Sequence, residues 1–476
     1  MAIAGVDLFF ASAAELNAGW RKGNFSSEEL TKAYLDRLEQ LGTQHNALAL
    51  SLRKDALKKA KDVDKDRKIE RFRGRLQGVP FGAKDLLAWP GHPTTWGAKP
   101  FATQSFDEPA TVLKKLDKMG AVLIGKLAMI ELAGGPSYRW AKASLTGPCL
   151  NPWDKSRWAG GSSSGSGASV AGGMVGFALG SETSGSILTP SAFCGISGLR
   201  PTYGLVSRAG AMALSWTLDK IGPMARTVED CGIILDAIAG GDASDPGSAG
   251  KGFFYGPQAA RPLIDYRVAY APVDWDEWVD PETRAAYAET LKVFKGMGMK
   301  MQERELPEFP YGAMVGIIIQ AEAASIFEEL ISSGRVDELA DERQIAGLKA
   351  APELLAKDYL KAMRIRRQVM KAFAGFFYES DMILSPTRRG IANLVSQPLD
   401  QAVEPAPPDR KQGLIRHIAA GNLAGLPALT MPCGLVNGLP VGVTVMSRPF
   451  NENALLTVGK EFQQRTDWHK RRPRLS

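Results

Sequence analysis

The chain has 476 residues, of which 45% are hydrophobic and 23% charged, and it carries a formal net charge of +7. Those values belong to a folded globular protein and exclude a low-complexity or disordered chain. No apolar run approaches the ~18 residues that mark a membrane-spanning helix. The N-terminus has no basic region and no clear cleavage site, so a soluble, cytoplasmic protein is expected, with attachment to a membrane surface left open.

Ser26 and Glu29 form a capping box, and Leu30, Tyr34, Leu38 and Leu41 keep helical spacing behind it, which predicts an amphipathic helix near the N-terminus. Arg53 to Arg73 mixes basic and acidic residues as a solvated helix face does. Strand-like runs are expected at Ala121–Ile124, Val268–Ala271, Met382–Leu384, Ala428–Met431 and Val441–Met446. Helical patterns separate them at Ala110–Met119, Val228–Ala239, Pro281–Met297, Tyr359–Phe377 and Ala454–Arg465. That alternation implies an α/β fold, a sheet covered by helices on both faces. No internal linker is visible, so one domain is expected over 1–476. Along it an N-terminal helical segment (about 1–70), a central segment (about 71–240), a third segment (about 241–380) and a C-terminal core (381–476) are expected. The cysteines, Cys149, Cys194, Cys231 and Cys433, lack CxxC or Cys/His spacing and read as free, buried thiols, with no metal site expected. The basic clusters come with no nucleic-acid motif, so no nucleic-acid partner is expected.

Three segments carry chemistry: Lys84 in Gly78-Val79-Pro80-Phe81-Gly82-Ala83-Lys84-Asp85, the run Gly160-Gly161-Ser162-Ser163-Ser164-Gly165, and Gly180-Ser181-Glu182-Thr183-Ser184-Gly185-Ser186-Ile187. A serine hydroxyl needs a neighbour that takes its proton as it attacks. His45, His92, His417 and His469 all lie outside glycine-rich contexts, which leaves a histidine base open with little support. A lysine serves as base only when neutral, and burial favours that form. Leu76 to Trp89 is mostly apolar or glycine, and in an extended segment Asp85 points away from Lys84. The serine run in isolation would suit a flexible linker, but apolar small residues follow it at once, which suits a glycine-rich loop between packed elements. Gly161 to Gly165 also fits Gly-x-Ser-x-Gly, a nucleophile elbow on Ser163 with His417 or His469 as base; the turn-like, charged stretch Asn151 to Trp158 before it is not the strand an elbow requires. A phosphate-binding loop fails because Gly160 to Gly167 holds no lysine.

Together the three segments resemble the Ser-Ser-Lys triad of the amidase signature family, with Lys84, Ser162 and Ser186 at the matching positions. Asn151-Pro152-Trp153, Gly198-Leu199-Arg200-Pro201-Thr202-Tyr203-Gly204, Leu218-Asp219-Lys220-Ile221-Gly222-Pro223 and Asn422 to Ala428 resemble family sequence as well, so the likeness spans the chain. It implies a central mixed β-sheet and an acyl-enzyme on Ser186, with Ser162 relaying a proton to Lys84 across a cis Gly161–Ser162 peptide. The backbone N–H groups of Thr183, Ser184, Gly185 and Ser186 would form the oxyanion hole, and no cofactor is implied. The family's Asp-x-Gly-Gly-Ser-Ile-Arg reads here Glu182-Thr183-Ser184-Gly185-Ser186-Ile187-Leu188, so the acid has lost its neighbouring arginine.

The stretch Leu127 to Ala133, which the resemblance places near the substrate, is apolar but for Glu131, and Met314 to Ile319 and Phe376-Phe377 before Tyr378 are apolar as well. A pocket including Met129, Ile130, Gly161, Ile317 and Ile318 would suit a hydrophobic or aryl amide, with esters, anilides and carbamates passing through the same chemistry. The expected enzyme is a free-standing monomer or homodimer acting on a small amide. The alternative is the glutaminase (A) subunit of a tRNA-dependent amidotransferase, which would need partner subunits.

Overall fold

Eleven strands pair into one mixed sheet. In chain order they are β1 (Leu48–Ser51), β2 (Pro80–Lys84), β3 (Val122–Leu127), β4 (Phe177–Glu182), β5 (Ser197–Arg200), β6 (Lys220–Ala225), β7 (Arg267–Tyr270), β8 (Lys300–Glu303), β9 (Met382–Pro386), β10 (Ala428–Val436) and β11 (Leu439–Ser447). Across the sheet the order is β8-β7-β9-β11-β10-β5-β6-β4-β2-β3-β1. This computed structural model describes residues 2–3, 6–256, 261–399 and 413–475. Helices cover both faces of the sheet, as expected for an α/β fold.

The register gathers polar groups at one end of the sheet. β2 runs parallel to both β3 and β4, with Ala83 opposite Leu179, so Lys84 and the pair Ser181 and Glu182 emerge at the same edge. β6 runs antiparallel to β4 and sets Lys220 opposite Glu182. The carboxyl ends of parallel strands are where open α/β sheets place their ligands. Phe81 and Phe177 stack with centroids 5.0 Å apart across β2 and β4, fixing these strands from within the core.

The N-terminal helix forms over Ser27–Arg37 with both bonds of the Ser26/Glu29 capping box. All five expected strands and all five expected helices are present. The helix expected from Pro281 begins as a 3-10 turn, Pro281–Thr283, before the α-helix Arg284–Gly296. The serine run departs from expectation: Ser164–Ala171 is a buried α-helix, not a loop. Small residues allow it to pack tightly, since a Cβ on Gly165 would stand 2.5 Å from both Ala128 N and Ala47 O. All four cysteines are buried and free. Among the described residues no helix is long and apolar enough to cross a membrane.

Candidate active site

Lys84 ends β2 with its side chain wholly buried. Its Nζ donates to Ser162 Oγ at 2.7 Å and to Ser181 Oγ at 2.9 Å. Burial pushes the ammonium down to about 7, while Asp219 and Glu182 pull it back up. The next residue turns the other way, as an extended strand requires. Asp85 pairs with the buried Lys126 at 2.8 Å and accepts from Thr95 Oγ1 at 2.5 Å, so its charge is spent away from Lys84.

Ser162 follows a cis peptide at Gly161, and its carbonyl accepts from Ile130 N at 3.1 Å. Ser163 is buried and committed to the sheet. Its hydroxyl donates to Ser181 O at 3.1 Å and accepts from Ser181 N at 3.2 Å. Its N–H donates to Ser186 O at 3.2 Å, which holds the serine run against the turn that carries Ser186. Both the donor and the acceptor of the Ser163 hydroxyl are thus taken by the Ser181 backbone, whereas an elbow nucleophile stands exposed.

The turn from Thr183 to Ser186 leaves β4 through Gly185 at φ +91°, a conformation that favours glycine. Among the described residues, no protein oxygen accepts from the N–H groups of Thr183, Ser184, Gly185 or Ser186. The turn is braced from behind by Glu182. One carboxylate oxygen accepts from Ile187 N at 2.9 Å and Leu188 N at 3.0 Å, and the other from Arg200 Nη1 and Asn422 Nδ2, both at 2.9 Å. The sequence leaves this acid without an arginine at position 188; the structure supplies one from β5 instead. Burial pushes the Glu182 carboxyl up, but Arg200, Asn422, Lys220 and the Ile187 N–H outweigh it and hold it below its usual range.

Arg200 and Glu182 are both wholly buried, so Arg200→Leu takes from an interior carboxylate its ion-pair partner and leaves it to Asn422 and two backbone N–H groups. The expected cost is about 3–5 kcal/mol of unfolding free energy. Urea denaturation should show it as a lower midpoint at unchanged slope. A midpoint equal to that of the parent would mean that the pair does not brace the turn.

A cavity of about 280 Å³ opens at Ser186. Gly161, Thr183, Ser184 and Thr189 form its inner wall; Ala133, Tyr138, Trp158, Leu214 and Ile319 supply apolar surface; Ser137, Arg388 and Asn393 supply polar groups. Of the expected pocket residues only Gly161 lines it. Met129 and Ile318 are fully buried, Ile130 packs behind Gly161, and Ile317 lies half-buried against the core. On the helix Tyr311–Ile326 it is Ile319 that reaches the cavity; local apolarity marks core and pocket alike and does not separate it from Ile317 and Ile318. Phe376 and Phe377 join Phe373 in an aromatic cluster, and Tyr378 faces solvent. Arg388 stands in no motif that would single it out; it follows β9 and is exposed, with Tyr138 and Tyr287 near its guanidinium. Ser181, the second acceptor of Lys84, was missed because nothing separates it from an ordinary strand serine.

His417 is buried at the start of the helix His417–Ala424, with Nδ1 3.1 Å from Leu414 O. Burial pushes it down to about 4, and His469 likewise. Neither ring makes a hydrogen bond to Ser186 or Ser163 among the described residues.

A family model for amidases matches residues 29–456. The chain belongs to the amidase family. It is 36% identical to the A subunit of a glutamyl-tRNA(Gln) amidotransferase from Chromohalobacter salexigens, over 96% of this chain and 97% of that one. Among solved structures it resembles a vestigial protein complex that reveals the origins of an s-triazine catabolic enzyme (TM-score 0.86, 26% identity, 98% and 100% of the two chains). It also resembles the native peptide amidase of Stenotrophomonas maltophilia (TM-score 0.81, 28% identity, 98% of each chain). Membership makes this chain an amidohydrolase acting on amide C–N bonds.

Proposed function

We propose that Ser186 attacks the amide carbonyl while its proton passes to Ser162, whose own proton passes to Lys84. The bond between Ser162 and a buried lysine whose ammonium is pushed down to about 7 carries this reading. The oxyanion of the tetrahedral intermediate meets the open N–H groups of the turn, where each donor contributes about 2.7–4 kcal/mol to the transition state. As the C–N bond breaks, Lys84 returns its proton through Ser162 to the leaving nitrogen. Water then cleaves the acyl ester on Ser186 by the same relay.

If neutral Lys84 is the base, kcat/KM on an amide should rise with pH, reach half its maximum near 7 and level off above. The sign follows from the group: burial favours the neutral amine, and the neutral amine accepts the proton. His417 and His469, both pushed down to about 4 by desolvation, cannot produce this limb. A profile flat from about pH 6 to 9 would remove Lys84 from the role of base.

Two substrate settings follow from different observations. The sequence relatives favour glutamine, with this chain as the amide-hydrolysing subunit of a tRNA-dependent amidotransferase. Arg388 in the cavity adds to it, since a guanidinium suits a carboxamide that also bears a carboxylate. The apolar walls around Ser186 favour a free-standing enzyme for hydrophobic or aryl amides, with anilides, esters and carbamates as variants. Assay of the purified single chain on glutamine, para-nitroanilides, aliphatic amides and carbamates separates the two. Glutaminase activity that depends on co-purifying partners supports the first; turnover of apolar amides by the chain alone supports the second.

A further inference from the structure

A second chamber, of about 390 Å³, backs onto the Ser186 cavity. The two share Ala133, Thr183 and Leu214 as a common wall. Away from that wall the chamber is lined largely by apolar groups, among them Leu86, Ala211, Met212 and Ile221, and Ser181, the acceptor of Lys84 Nζ, also borders it. One half-buried carboxylate pins the shared wall. Asp219 accepts from Thr183 Oγ1 at 2.6 Å and from the N–H groups of Leu214 at 2.8 Å and Ser215 at 2.9 Å. Arg208 and Asp245, paired at 2.7 Å, give the chamber a polar margin, and the buried Lys220, whose Nζ makes no hydrogen bond among the described residues, lies in its wall. Nothing in bond cleavage at Ser186 requires this space.

We propose that the chamber is a second lobe of the substrate site and takes an apolar arm of the amide, passing over Thr183 and Ala133. The inference rests on the free-standing reading. The Ser186 cavity alone, about 280 Å³, falls short of the ~300–1,000 Å³ typical of sites for drug-sized ligands, whereas the two lobes together reach it. The arm is part of either the acyl group or the amine, and substrate series distinguish the two sources.

The test uses the parent chain with Ala211→Phe and Ala213→Phe, both half-exposed positions on the chamber wall, and the milder Ala211→Val. One series lengthens the acyl group of a para-nitroanilide from acetyl to octanoyl; the other holds the acyl group at acetyl and enlarges the aryl amine. In the parent, kcat/KM should climb along one series, by up to about fourfold per methylene buried. The phenylalanine variants should lose at least tenfold on the largest members, mainly through KM, and stay within twofold on acetyl para-nitroanilide. Ala211→Val should fall between. A parent that turns over apolar amides while the phenylalanine variants lose nothing, or lose equally on the acetyl substrate, overturns the chamber alone. A parent that hydrolyses glutamine and no apolar amide overturns the free-standing reading and the arm with it.

Discussion

Ser186→Ala should reduce amide hydrolysis by at least about four orders of magnitude and abolish covalent labelling by a fluorophosphonate, because it removes the hydroxyl that closes the turn of open N–H donors at the cavity. The informative partner is Ser163→Ala. Its hydroxyl is fully buried and spends both its donor and its acceptor on the backbone of Ser181, so its loss should cost about 1–3 kcal/mol of stability and leave a labelled, active enzyme. Titration with the label, followed by rates normalised to labelled enzyme, separates a smaller folded fraction from slower chemistry. An unlabelled Ser163→Ala beside a labelled Ser186→Ala would reverse the assignment and restore the nucleophile elbow.

How far the site could be read from the sequence depended on whether a residue's role is local. Lys84 was legible because its neighbours are apolar and strand alternation turns Asp85 aside; the structure gives Asp85 its own partner, Lys126, from the adjacent strand. The strands that carry the site were not legible. β2 and β4 contain glycine, alanine and serine where strand patterns show branched residues, and the sheet accepts them because both are buried on each side by tightly packed neighbours. The serine run read as a loop for a related reason: serine and glycine are poor helix formers, yet only they let a helix approach Ala128 and Ala47 so closely. Arg200 as the partner of Glu182, and Asp219 as the anchor of Thr183, depend on pairing between strands and on loop return. Local sequence holds no trace of either, although both residues sit in blocks that resemble the family. The pocket was the least legible part. Apolar runs at 127–133 and 314–319 signal burial without saying whether the buried face meets a core or a cavity, and most of these side chains meet the core.

Lys84→Ala should cost several orders of magnitude on an amide and much less on an activated ester. The amine of an amide is a poor leaving group and must receive a proton as the C–N bond breaks; para-nitrophenolate leaves unaided. Removing Lys84 deprives Ser162 of its proton partner at 2.7 Å, so the relay can neither draw the proton from Ser186 nor return it. It also leaves Ser181 and Ser162 without a shared donor, which makes Lys84→Met, of similar volume, the necessary second variant: equal losses in both trace the effect to the amine, not to a void. His417→Ala is the control. Its Nδ1 is engaged with Leu414 O and neither ring nitrogen bonds to Ser186 or Ser163, so it takes no serine proton and should lower stability more than rate. The two variants therefore predict opposite patterns when amide kcat/KM is set beside the thermal midpoint. Lys84→Met should keep the midpoint, or raise it by removing a buried amine, and lose the rate, while His417→Ala should lose some of the midpoint and keep the rate. Amide turnover that survives Lys84→Met and vanishes in His417→Ala would replace the lysine relay with a serine and histidine pair.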